Sequence, residues 1–202
     1  SMCYMKDTGF SHFSKSTTIQ SLRRLEVGNN ELGERGGKIV ATAKTEVFSK
    51  LESLSYANNK IGTAGCVHLA KAKLPTLRSL DLSRNEVGSD GLAALGASET
   101  LTGLCELTLS DFDQTPAMLD GLAGTPLLSR LEALRWTGDS EEGGAMLPRF
   151  FALEGFQGLR VLEVTYQHLV DDDLLALASL ENSTLETLKI QNAKFTKKGI
   201  EA

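Results

Sequence analysis

Apolar positions along the chain fall into a recurring frame: leucine, two variable residues, leucine, one variable residue, then an apolar residue. The frame starts at Leu22, Leu51, Leu77, Leu104, Leu131, Leu159 and Leu185, a mean period of about 27 residues. Its second leucines are Leu25, Leu54, Leu80, Leu107, Leu134, Leu162 and Leu188, followed two residues on by Val27, Tyr56, Leu82, Leu109, Trp136, Val164 and Ile190. Leucine at all fourteen framed positions, against a background on the order of one residue in ten, is not an effect of composition. Alternation of this kind predicts a short strand with its leucines turned inward. Beyond the strand come Asn30, Asn59 and Asn85, then an aliphatic residue (Leu32, Ile61, Val87), and four residues later a glycine (Gly36, Gly65, Gly91) expected to open a helix. An asparagine amide there can bond the backbone of its own turn and that of its neighbour. One unit cannot bury its apolar face alone. Stacking seven gives a parallel sheet on one side and helices on the other, joined by right-handed connections.

The frame also marks the ends and the irregular stretches. Shifted back one period, it places Cys3, Met5 and Gly9 at the asparagine, aliphatic and glycine positions. Residues 1–20 therefore read as the back half of a preceding repeat or an N-terminal cap, with Phe10 and Phe13 as helix anchors, and residues 21–202 as one continuous repeat domain. Phe195 and Gly199 fall on frame near the other end, and neither end shows the polar cap that stacked repeats need. The expectation is a segment of a longer array whose uncapped ends can self-associate. In repeats four and five, Phe112 and Asp139 replace the asparagine and Met118 and Ala145 the glycine. Thr115-Pro116 is expected to start the helix of repeat four, and Pro148 to start or kink the next.

The run Leu77-Arg-Ser-Leu80-Asp-Leu82-Ser-Arg-Asn85-Glu-Val87-Gly88-Ser-Asp-Gly91 resembles the leucine-rich repeats of the ribonuclease-inhibitor-like subfamily, and the resemblance extends over nearly the whole chain. It implies an α/β solenoid shaped as a horseshoe arc of about seven repeats, with the parallel sheet concave and the helices convex. Relatives in that subfamily include enzyme inhibitors, innate-immune sensors, actin-assembly regulators and the Ran GTPase-activating protein, so a small-GTPase regulator is an alternative implied by fold likeness alone. A spacer built of structural repeats is another.

Composition narrows the chemistry. The chain has 202 residues, 41% hydrophobic and 23% charged, enough to bury a core and unlike a fibre or a disordered tail. No apolar run approaches a membrane span, and a net charge of -5 lacks the positive field that draws nucleic acid or anionic lipid, so neither partner is expected. Cys3, Cys66 and Cys105 form no paired motif, which points to a reducing, cytoplasmic setting. His12, His68 and His168 sit in different repeats and do not converge on a nucleophile, and no phosphate-binding loop or dinucleotide fingerprint is present, so no catalytic residue and no cofactor are expected. Gly33 to Gly37 fits the repeat frame as a turn. Asp171, Asp172 and Asp173 suit a helix start, where acids complement the dipole. Asp111 and Asp113 with Asp139, Glu141 and Glu142 form an acidic edge, read as solvated in preference to a calcium or basic-peptide site; no metal is expected.

Outward strand positions supply the candidate surface. One column reads Arg23, Glu52, Arg78, Cys105, Glu132, Arg160, Glu186, and its alternating signs predict a ladder of exposed ion pairs between strands. Over all outward positions, seven basic residues face eight acidic ones, a near-neutral mixture suited to a protein partner. The column before the asparagine includes Arg84, Asp111 and Tyr166, and arginine and tyrosine are favoured interface anchors. Trp136 falls on an inward position and is assigned to the core. Seven strands span about 30 Å, room for the roughly 800 Å² that a standard interface takes from each partner. The expected function is a non-enzymatic protein–protein interaction module whose concave site centres on Asp81, Arg84, Asp111, Arg135 and Tyr166.

Overall fold

The leucine frame becomes seven short parallel strands: β1 (Arg24–Glu26), β2 (Ser53–Ser55), β3 (Ser79–Asp81), β4 (Glu106–Ser110), β5 (Ala133–Gly138), β6 (Val161–Tyr166) and β7 (Thr187–Gln191). They form one sheet in chain order. The computed structural model describes residues 5–43, 45–110, 115–138, 146–156, 158–166, 169–180, 184–193 and 195–197. Strand register places Leu25, Leu54, Leu80, Leu107, Leu134, Leu162 and Leu188 in a single row. The first six leucines are at most 9% exposed, whereas Leu188, on the outer strand, is 47% exposed. A fixed bonding rule accompanies the register. The carbonyl just before each strand accepts two N–H groups of the next repeat, as Arg23 O does from Glu52 N (2.7 Å) and Ser53 N (3.0 Å) and Arg160 O from Glu186 N (2.8 Å) and Thr187 N (2.9 Å).

Helices follow the strands: α1 (Lys6–Phe13), α2 (Gly33–Thr42), α3 (Thr45–Phe48), α4 (Gly62–Leu69), α5 (Ser89–Gly96), α6 (Pro126–Arg130), α7 (Met146–Phe151) and α8 (Asp171–Ala178), with a 3-10 helix at Pro116–Leu122. The frame glycines do not open them. Gly36, Gly65 and Gly91 lie in the third or fourth helical position, and the reason for glycine is close packing: a Cβ on Gly36 would meet Leu32 Cβ at 2.8 Å and the Tyr56 ring at 3.1 Å. Thr115 and Pro116 do mark a helix start, but of 3-10 type, and a second Thr-Pro pair opens the unforeseen α6, where the Thr125 hydroxyl accepts from Leu128 N. Pro148 sits in the first turn of α7, where its missing N–H has no helical partner to lose.

Buried asparagines stitch the first repeats together. Asn59 Oδ1 accepts from Asn30 N (3.0 Å) and Leu32 N (3.3 Å), while its Nδ2 donates to Val27 O (2.8 Å) and Tyr56 O (2.7 Å). Asn85 repeats the pattern one layer on, and Asn30 Oδ1 accepts from Met5 N at 2.8 Å. The residues on either side of the asparagine pay for this geometry with left-handed backbone: Asn29, Glu31, Asn58, Lys60, Arg84 and Glu86 have φ between 51° and 59°. Further along, a carboxylate does the work of the missing amides. Asp173, fully buried, accepts from Leu147 N at the start of α7 (2.7 Å) and from Val170 N at the start of α8 (2.9 Å). Burial raises its pKa and those backbone bonds oppose the rise. Asp171 accepts from Thr196 N at 2.8 Å, so the acidic run both begins a helix and links repeats.

The core is continuous from Phe10 to Leu169. Trp136 is 1% exposed, as its inward position requires. At the N-terminal side Phe10 packs among Phe13, Phe48 and Tyr56, with ring centroids 5.8 to 6.4 Å apart.

Candidate functional site on the concave face

Outward side chains of a parallel sheet stand in rows about 4.8 Å apart, so the register decides which candidates meet. One row runs Glu26, Ser55, Asp81, Thr108, Arg135, Glu163, Lys189. Asp81 and Arg135 therefore share it, separated by Thr108. Arg135 Nε donates to Glu163 Oε1 at 2.9 Å, its Nη1 lies 3.8 Å from Glu106, and Lys189 Nζ lies 3.5 Å from the other oxygen of Glu163. Asp81 is held without a cation: its Oδ2 accepts from the Ser55 hydroxyl (2.8 Å) and its Oδ1 from Ser83 N (2.9 Å) and the Ser83 hydroxyl (2.6 Å). The two serines that fix this carboxylate, and the Glu163–Lys189 extension of the row, escaped the sequence reading. Opposite charges at equal frame positions of repeats five, six and seven were the available signal.

The second row only partly follows the predicted ladder. Arg23 pairs with Glu52, and Arg160 grips Glu186 through both Nε (3.0 Å) and Nη2 (2.8 Å). Arg78, however, reaches across β4 to Glu132 at 3.4 Å. Cys105 stands between them with no charge to offer and is 4% exposed, covered within the row beside Arg78, Glu106 and Glu132. These pairs are solvent-exposed, and they order the surface more than they stabilise the fold.

Arg84 occupies the rim beside this face in left-handed backbone, and its N–H donates to Ser110 O, which anchors the rim to β4. Tyr166 ends β6 with its Cα opposite Gly138. Its side chain lies outside the described residues, and so do Asp111 and the acidic edge of Asp113, Asp139, Glu141 and Glu142. Burial pushes the Cys66 thiol up to about 12 and also raises that of Cys105, with the nearby Glu132 adding to the rise. His68 lies on α4, 3.4 Å from Glu34 of α2 on the helical side, and His168 is outside the described residues. Among the described residues no cluster of three or more His, Cys, Asp or Glu could hold a metal ion, and no helix is long and apolar enough to cross a membrane.

Known proteins share this repeat. The profile for "Leucine Rich repeat" matches residues 73–96. Mouse ribonuclease inhibitor is 28% identical over 167 residues, covering 78% of this chain and 37% of the inhibitor. Pig ribonuclease inhibitor is 33% identical over 78 residues, 38% of this chain and 17% of that protein. Mouse NACHT, LRR and PYD domains-containing protein 12 is 35% identical over 79 residues, 38% of this chain and 8% of its own length. The chain thus spans well under half the length of these relatives. A chain in the crystal structure of the yeast Rad7 and Elc1 complex superposes with a TM-score of 0.56 at 19% identity, covering 96% of this chain and 55% of that one, a likeness of fold. Row of leucines, asparagine stitching and these relatives agree: the chain is built of leucine-rich repeats similar to those of ribonuclease inhibitor.

Proposed function

We propose that the concave sheet and the loops following its strands bind a protein partner, and that the chain acts by surface complementarity rather than by catalysis. The observation that carries this reading is the ordering of the exposed charges: Arg135 is held by Glu163 and Glu106, and Asp81 by three hydroxyl and amide donors, before any partner arrives. Side chains already fixed lose little entropy on binding, which favours a specific interface. Mixed charge on an open, curved sheet gives a partner sign-specific contacts without a deep cavity. The mouse and pig relatives are, by name, inhibitors of a ribonuclease and so act on a protein, which supports the same mode here. Asp81, Arg84, Asp111, Arg135 and Tyr166 are the residues assigned to contact. Two free, buried thiols suit a cytoplasmic setting.

The test is retention of partners from cell lysate by the chain, beside a rim variant carrying Arg84→Glu with Tyr166→Ala and a helix-side variant carrying Lys71→Glu. A protein held by the chain and by the Lys71 variant, and lost by the rim variant, supports concave binding. Equal retention by all three moves the interface off this face.

A further inference from the structure

Helices of successive repeats do not all meet in the same way. Backbone lies against backbone where α2 meets α4, at Gly37 and Gly65, and where the 3-10 helix meets α5, at Gly121 and Ser89. Neither α7 nor α8 contains a glycine, and their bulkier side chains leave an open groove of about 790 Å³ between them on the helical side. Phe151 and Ala152 form one wall; Leu175, Ala176 and Leu180 form the other, recurring on α8 at helical spacing from Asp172 over about 12 Å. Both walls precede β7, so the groove does not depend on the sheet's outer edge. Its lining is apolar where earlier repeats carry charge. Counted from each repeat's first leucine, Leu175 takes the place that Lys38 holds in the first repeat, and Phe151 that of Lys71 in the second. Leu175 is 44% exposed, and Val170, at the head of α8, is 40% exposed.

We propose that this groove takes the apolar face of an amphipathic helix from a protein partner, with a basic residue of that helix beside Asp172. The walls select a helix. Away from their ends, α7 and α8 spend their backbone N–H and C=O groups on their own turns, so an extended segment laid between them would leave its backbone unpaired, whereas a helix satisfies its own. A stripe of about 12 Å accommodates two helical turns, enough for apolar side chains at i, i+3, i+4 and i+7 to sit between the walls. Charge sets the sign. Asp172 is the one charged residue among the described residues lining the groove. Its neighbours are engaged elsewhere, Asp171 by Thr196 N and Asp173 by buried backbone, and Arg149 of α7 is held by Asp120 at 2.7 Å and so leaves Asp172 uncompensated. A lysine or arginine of the incoming helix matches that carboxylate, and an acidic residue meets like charge. The groove lies on the helical side, so its occupant is distinct from a partner held on the concave sheet.

Fluorescence anisotropy of a labelled peptide tests it. The probe is about four helical turns long, with leucines at i, i+3, i+4 and i+7 and lysines elsewhere, beside a peptide of the same composition in scrambled order and one whose lysines are replaced by glutamates. The lysine helix is expected to bind saturably, about tenfold or more tightly than either control, and to gain helical circular dichroism on binding. Leu175→Lys, at a half-exposed site tolerant of change, should weaken binding about tenfold, and Asp172→Lys should shift the preference toward the glutamate peptide. Asp90→Lys, the same charge change on α5, should do neither, with circular dichroism confirming the fold of each variant. Absence of saturable binding, ordered and scrambled peptides that bind alike, Asp90→Lys acting as Asp172→Lys does, or a Leu175 variant that binds as the parent does would overturn the proposal. So would a groove closed by a second copy, seen as a sedimentation mass above the monomer that Leu175→Lys returns to the monomer.

Discussion

Cys66 shows how far burial can change one group. Its thiol is fully enclosed in α4 and its pKa rises from 9.0 to about 12 because the thiolate would be desolvated. The folded state therefore holds the proton more tightly than the unfolded chain does. Stability from the protonated thiol is complete below pH 9 and is lost as pH climbs toward 12, by up to about 1.4 kcal/mol per pH unit in that window. The urea midpoint of the chain should fall more steeply between pH 9 and 10.5 than that of Cys66→Ala, since Cys105 and Tyr56 titrate in both. Parallel curves would show that the Cys66 thiol is not the group responsible. At this scale the sequence was legible where the chemistry is distinctive: an asparagine amide carries two N–H donors and an acceptor on one short planar group, enough to bond its own turn and the neighbouring one, so Asn59 and Asn85 could be assigned in advance. It was illegible at Cys105, whose frame position matches that of exposed arginines and glutamates yet is covered. Asp81 stood out only as a charge, because the serines that hold it are short and unremarkable in a column.

Between elements the controlling quantity is how closely helices of successive repeats approach. A Cβ on Gly37 would lie 2.1 Å from Gly65 O, so α2 and α4 touch through backbone, and backbone cannot step aside as a side chain can. Gly33 is a useful contrast: its φ is +57° but nothing lies within 4 Å of an added Cβ. Gly33→Ala should cost about 1 kcal/mol, the price of a left-handed alanine, while Gly37→Ala should cost about 2–3 kcal/mol or more through overpacking. Thermal denaturation of the two variants ranks them, and equal losses would mean the helices can separate freely. The leucine period made strand order and register readable, because a slip of one residue would turn every leucine to solvent. Helix starts were misplaced by two or three residues because a glycine demanded by packing looks, in sequence, like a glycine demanded by a turn. The Asp173 link between α7 and α8 was read only as a helix-start acid, since nothing in the sequence shows that it also reaches the preceding repeat.

Across the molecule, a repeat array is stabilised by each repeat and by the contacts between neighbours, so damage should spread along the chain and fade with distance. Among the described residues the asparagine stitching runs from Asn30 through Asn59 to Asn85, and in sequence Phe112 stands at the next asparagine position. Asn85→Ala would strand Asn59 N and Ile61 N in a buried site, while Tyr56 O keeps Asn59 Nδ2 and Ser83 O keeps Asn58 N, a loss of about 2–4 kcal/mol when each orphaned group costs about 1–2 kcal/mol. Both groups belong to the second repeat, so the weakened joint is the one between β2 and β3. Beyond β4 the links change kind, passing to Asp173 and the Arg135 row, which the substitution leaves intact. Native-state hydrogen exchange should therefore show protection falling in β1 to β3, α2 and α4, with β5 and β6 nearly unchanged. Loss of equal size in every strand would instead mean that the seven repeats open as a single cooperative unit, and that the asparagine-linked first repeats and the Asp173-linked later ones are not separate units of stability.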